Sequence, residues 1–170
     1  MINNKKVLVI GDVILDVWTY AKAVGLSLET PTLKSKLIEK KHTFGGSANV
    51  VSNLKELGAD ITFLTLLGDD EYTKTYESIK DIKLHSVVED DRKNTIKERF
   101  WIERGGSNYK HLQVNVIDNK SIKKESIDKM IKNIEDTLDD KFDVVMLIDY
   151  RHGLFTKDFL NRLMTVLNKK

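Results

Sequence analysis

The 170-residue sequence contains no cysteine and a single proline. Without cysteine there is no disulfide, no thiolate metal site and no cysteine nucleophile. One proline argues against a linker-rich or disordered chain. Neither sign of charge dominates, with 28 Lys and Arg against 26 Asp and Glu interspersed along the chain. That balance gives no electrostatic reason to expect a nucleic acid or a membrane surface as partner. Four scattered histidines, His42, His85, His111 and His152, include no i,i+4 ligand pair, which disfavours zinc. No apolar run approaches the length of a membrane span, and the opening MINNKK leads into a strand-like run with no signal-peptide core. A cytoplasmic protein is the expectation.

What is present is a rhythm of apolar strands and amphipathic helices. Residues 7–10 and 61–67 are apolar at consecutive positions, as buried parallel strands are, and 142–148 reads the same way. Between them, residues 49–57 place Val50, Val51, Leu54 and Leu57 on one helical face before Gly58. Residues 122–138 form a second amphipathic segment, and 156–168 a third, capped by Thr156 or Asp158. The pattern predicts an α/β fold, Rossmann-like and three-layered, with a parallel sheet. Two regions break the rhythm. Residues 33–44, and 95–103 followed by 111–117, mix Lys, Arg and aromatics with apolar residues, and they predict a small β-layer projecting from the main sheet. Three core parallel strands are counted, fewer than open α/β sheets usually carry, so an apolar edge is expected to be uncovered and the sheet to be truncated.

Ligands gather at the carboxyl ends of strands in such sheets. Those ends present Gly11-Asp12 with Asp16, then Gly68-Asp69-Asp70, then Asp149-Tyr150. An ionised carboxylate accepts hydrogen bonds, and a polyol has many to donate. Asp12 alone is better read as the cap of a following helix; for Asp16 the two readings are even. The run Gly45-Gly46-Ser47-Ala48-Asn49 opens a helix, where glycines allow close approach to the backbone and free N–H groups can donate. Asn49 adds a side-chain amide, and a plain turn is the bland alternative. Lys97 and Arg99 share one face of a predicted strand and could grip a phosphate, although exposed strands also carry such residues to discourage edge pairing. The strand-glycine start also suggests a dinucleotide site, but Gly-x-Gly-x-x-Gly is missing.

Taken together, these segments resemble the ribokinase/PfkB carbohydrate kinase family, and within it the kinases of D-glycero-D-manno-heptose 7-phosphate. GDVILD is similar to a GD-x-x-LD start, LSLETP to an S-P-E-A-P segment, and FGGSANVVSNLKELGA to the glycine-pair signature. LLGDDEY, then Thr95, Lys97 and Arg99, then LIDYRHGLF resemble the G-x-D-x-x-G region, the T-x-K-x-R strand and the S-D-Y-x-K-G-x-L segment. The chain departs from the pattern at Gly25, Gln113, Asn115 and His152, each of which stands where the family carries a charged residue.

The resemblance implies an ATP-dependent sugar kinase using Mg2+. In it Asp16, Gly45, Gly46, Asn49 and Asp149 would bind the sugar, and Lys97 and Arg99 would face the substrate's phosphate end. The strands at about 33–44 and 95–117 would form a lid, often shared across a homodimer. Residues 1–170 would be the N-terminal part of the kinase domain. The family's catalytic base lies in a Gly-Ala-Gly-Asp motif, which does not occur in these residues. The chain is therefore expected to hold the sugar side of the site without the catalytic and ATP-binding half, as a split or truncated member inactive alone. A C-terminal complementing polypeptide would restore it. The alternative is a non-catalytic sugar-phosphate-binding or dimerisation module.

Overall fold

The computed structural model describes residues 2–138 and 141–168. Two four-stranded sheets organise them. The first comprises β1 (Lys6–Gly11), β4 (Asp60–Gly68), β5 (Lys83–Glu89) and β8 (Val144–Ile148), all parallel in the order β5-β4-β1-β8. β1 is central, and its side chains alternate between two cores. Leu8 and Ile10 join Leu64, Met130, Ile134, Phe159 and Leu163 beneath α3 (Lys124–Thr137) and α4 (Lys157–Leu167). Val7 and Val9 join Val51, Ile61, Phe63 and Tyr76 beneath α1 (Ser47–Glu56) and the short α2 (Thr73–Glu77). Because both faces of β1 are covered, its residues are apolar without alternation. Each fully buried Leu, Ile or Phe contributes about 1.5–3 kcal/mol relative to exposure. The Thr156 hydroxyl accepts from the Phe159 N–H and caps α4.

The expected core strands are all present, but the sheet has a fourth, β5, which sequence reading passed over. Its KLHSVVE sequence is only partly buried, because β5 is an edge strand. At the opposite edge β8 is less covered than a core strand, with Val144, Val145 and Leu147 at 48%, 37% and 40% exposure. The expectation of an uncovered apolar edge holds there.

The second sheet projects from the first. Its order is β3-β2-β6-β7, from β2 (Val13–Leu26), β3 (Leu33–Gly46), β6 (Ile96–Arg104) and β7 (Ser107–Val116). The mixed segments at 33–44, 95–103 and 111–117 all fall in it, as expected. β2 was not expected: the chain leaves Gly11 as a long strand and not as a helix. Apolar and polar residues alternate along it, with Leu15, Val17, Thr19 and Ala21 buried and Asp16, Trp18 and Tyr20 half-buried. β6 and β7 turn through Gly105 and Gly106, both at positive φ (61° and 80°), as a two-residue hairpin loop requires.

Candidate functional site

The site lies where the two sheets join. Asp12 separates β1 from β2, and its side chain is buried, at 4% exposure. Its side chain caps no following helix, because a strand and not a helix comes next, which corrects the capping reading. Its Oδ2 accepts from the N–H groups of Tyr150 (2.8 Å) and His152 (3.3 Å), pinning the loop that carries Asp149. Its backbone carbonyl accepts from both the N–H (2.9 Å) and hydroxyl (2.6 Å) of Ser47. The first N–H of α1 is therefore spent on Asp12 and not offered to a ligand. Burial pushes the Asp12 carboxyl above its ordinary value, against the lowering effect of the Tyr150 and His152 amides. Burial likewise holds His152 below its ordinary value, although the Asp12 charge opposes it.

Asp16 sits on the half-buried face of β2. A Cβ on Gly45 would lie 2.5 Å from Asp16 Oδ2, so only glycine lets the carboxylate rest against this backbone. Gly46 has φ 60°, and a Cβ there would meet the Asp12 carbonyl oxygen at 2.7 Å. The glycine pair is thus required by the turn and by the carboxylate beside it.

β6 pairs with β2 so that Lys97 stands opposite Asp16 and Arg99 opposite Trp18. Arg99 Nη1 donates to Asp16 Oδ1 at 2.6 Å, and its guanidinium lies 4.9 Å from the centre of the Trp18 ring. Trp18 stacks on Trp101 with ring centres 6.2 Å apart. From β7, Gln113 stands opposite Arg99 and Asn115 opposite Lys97, bonded to each other at 3.0 Å. Asn49, in the first turn of α1, is exposed. Asp149 is exposed at the end of β8, where its Oδ1 accepts from the Arg151 N–H at 2.7 Å.

The structure therefore brings together Asp16, Gly45, Gly46, Lys97 and Arg99. Asn49 and Asp149 lie on the adjoining helix start and strand end. Asp70, a candidate carboxylate at the end of β4, is committed elsewhere: its oxygens accept from the Asn94 side chain (2.7 Å) and backbone N–H (2.8 Å). Asn94 also accepts from the Gly68 N–H, so this pair fastens the start of β6 to the end of β4. Sequence reading missed Trp18, Trp101 and Asn94. Trp18 had a signal, since it lies two residues after Asp16 and shares its face of the strand.

The sequence and the fold are matched by known proteins. The family model for the pfkB carbohydrate kinases matches residues 4–134. The chain belongs to the pfkB family of carbohydrate kinases. The bifunctional protein HldE of Campylobacter jejuni subsp. doylei is 32% identical over 151 residues, covering 89% of this chain and 31% of that protein. HldE of Aliarcobacter butzleri is 28% identical over 174 residues, covering 99% of this chain and 36% of that protein. The chain thus spans about a third of the length of these curated relatives. Escherichia coli phosphofructokinase-2, solved with fructose-6-phosphate, superposes with a TM-score of 0.62 at 14% identity, covering 98% of this chain and 52% of that one. A carbohydrate kinase from Agrobacterium tumefaciens gives 0.60 at 14% identity, over 97% and 50% of the two chains. These pfkB structures share the ribokinase-like fold seen here. A dinucleotide site is ruled out at Gly11 by the local path, since a strand and not a helix N-terminus follows it.

Proposed function

We propose that this chain forms the sugar-binding side of a kinase that phosphorylates a sugar phosphate, heptose 7-phosphate being the substrate favoured by its motifs and its HldE relatives. The observation that carries this reading is the packing of the Asp16 carboxylate against the Gly45-Gly46 turn, with two cations on the neighbouring strand. On this reading Asp16, Asn49 and Asp149 accept from or donate to sugar hydroxyls, and the glycine backbone closes one side of the pocket. Lys97 and Arg99 take the phosphate already on the substrate. The projecting sheet acts as the lid. Residues 1–170 correspond to the N-terminal part of the kinase domain.

The family implies ATP, with Mg2+, as phosphoryl donor. We read the residues present as not making up its site. Among the described residues no cluster of three or more His, Asp or Glu could hold a metal ion. Asp12 and Asp70 are bonded to amides, and Asp16 to Arg99. On our reading the catalytic base and the anion hole come from a Gly-Ala-Gly-Asp segment outside these residues, and the nucleotide is held by loops beside it, on further chain or on a second polypeptide. Positioning and charge stabilisation dominate phosphoryl transfer, so this chain alone is expected to bind sugar without turning it over. Saturable binding of heptose 7-phosphate by calorimetry, with no sugar-dependent ADP release, is the expected result. Absence of binding, or turnover by these residues alone, would refute it.

A second reading is a binding or dimerisation module. It is supported by Tyr109, Leu112, Val114 and Val116, which leave β7 42–60% exposed on an apolar surface of the projecting sheet. Concentration-dependent dimerisation abolished by Leu112→Lys, without sugar binding, would favour it. A groove of about 1010 Å³ borders this strand near Leu26 and Tyr109. It begins ten residues along β2 from Asp16 and is separate from the sugar site.

A further inference from the structure

We propose that Asp16 and Arg99 form an anion-controlled gate, so that the site opens to a sugar only when an anion draws Arg99 away. The inference rests on the sugar-binding reading above and adds the order in which its charges must rearrange. Of the two Asp16 oxygens, Oδ1 accepts from Arg99 at 2.6 Å, and Oδ2 lies over Gly45, where a Cβ would meet it. A hydroxyl arriving at Oδ1 meets a guanidinium already in place. Both side chains are only about one-fifth exposed, at 22% and 21%, so solvent screens the pair less than it would a surface pair.

The surroundings show what would release it. The side chain of Lys97, directly opposite Asp16, forms no hydrogen bond or ion pair among the described residues. Gln113, opposite Arg99, is engaged by Lys110 (2.6 Å) and by Asn115. The site therefore holds one neutralised cation and one that is not. An anion attracted to Lys97 lies beside Arg99 and competes with Asp16 for it. Trp18, beneath the guanidinium, keeps Arg99 on this face after the exchange. A sugar phosphate carries both the anion and the hydroxyls, whereas an uncharged sugar carries no means of freeing Asp16. The pair thereby discriminates against uncharged sugars by an interaction within the protein.

Linkage makes this measurable, because an anion that opens the gate must raise the affinity for sugar by the same factor as sugar raises the affinity for the anion. The full chain is titrated calorimetrically with uncharged D-glycero-D-manno-heptose, with and without inorganic phosphate at matched ionic strength. Phosphate is expected to raise heptose affinity by about 5- to 150-fold, the usual span of such couplings. Arg99→Met is expected to bind heptose more tightly without phosphate and to lose the phosphate effect. If phosphate leaves wild-type affinity unchanged or lowers it, the gate is wrong, and this result needs no variant. If heptose 7-phosphate binds but shows no such coupling between its parts, the gate fails while the sugar site stands. If neither heptose nor its 7-phosphate binds, the sugar-site reading fails and the gate with it.

Discussion

The two sheets solve the same problem of pairing four strands in opposite ways. In the parallel sheet the central strands are buried on both faces, and their stability comes from packing against helices. In the projecting sheet much of the surface faces solvent, and order comes from cross-strand partners. Thr19 donates to Glu98 at 2.6 Å, Lys40 lies 3.1 Å from the same carboxylate, and Arg99 spans Asp16 and Trp18. Burial raises the Glu98 carboxyl, but the bonds from Thr19 and Lys40 outweigh it and hold the group below its ordinary value. Stability placed in packing tolerates no change of shape. Stability placed in polar pairs can be exchanged for a ligand's polar groups. The candidate site sits at the seam, with its frame (Asp12, Gly45, Gly46) where the second sheet meets the end of β1 and its exchangeable charges (Asp16, Lys97, Arg99) further out on the second.

The contrast breaks most sharply in the core. Phe63→Ala, at a fully buried position of β4, is expected to cost about 3–5 kcal/mol. Leu112→Ala on β7, half exposed, is expected to stay within about 0.5 kcal/mol. Urea denaturation of both variants measures the difference, and equal costs would remove the distinction between the sheets. A comparable loss, about 3 kcal/mol or more, is expected for Arg92→Met. Arg92 and Glu89 are 5% and 3% exposed and 2.9 Å apart, and Arg92 also donates to the carbonyls of His152 and Lys120. Its removal leaves a buried carboxylate behind.

A smaller effect separates Asp12 from the exposed carboxylates by its sign. Its folded value is raised, so its stabilising contribution is fully present below the ordinary value of 3.8 and is lost as pH rises through the raised one. Relative to Asp12→Asn, the wild type should therefore lose stability as pH rises from about 4 towards neutrality. Urea midpoints at a series of pH values check this, and a difference of opposite slope would contradict the burial argument. Smallest of all, Trp18→Leu should cost about 0.5–1 kcal/mol from the lost contact with Arg99, read from the same denaturation curves.

Much of the first sheet was legible because consecutive apolar residues have few other uses. β5 was not, because an edge strand can afford His85 and Ser86 in its sequence and so loses the signal. β2 was hidden for a different reason. A glycine followed by aspartate at the end of a buried strand precedes a helix in many α/β sheets, and nothing local in VILDVWTY forbids one. Only pairing with β3 and β6, far away in sequence, makes it a strand. The same distance explains the site. The glycine pair and Asp16 were each visible, but their contact depends on the β2–β3 register, and the ion pair with Arg99 on the β2–β6 register. Asp12 was misjudged because a buried carboxylate and a capping one look alike until the amides of Tyr150 and His152 are placed.

The central claim is that the seam between the sheets binds a phosphorylated sugar through Asp16. Calorimetric titration of heptose 7-phosphate into the wild type and into Asp16→Ala tests it most directly. Asp16 pairs with Arg99 at a partly exposed position, so the variant is expected to keep its fold with a loss of no more than about 1 kcal/mol. Saturable binding by the wild type that disappears in the folded variant is the expected result. Binding of equal affinity in both proteins, or in neither, would contradict it.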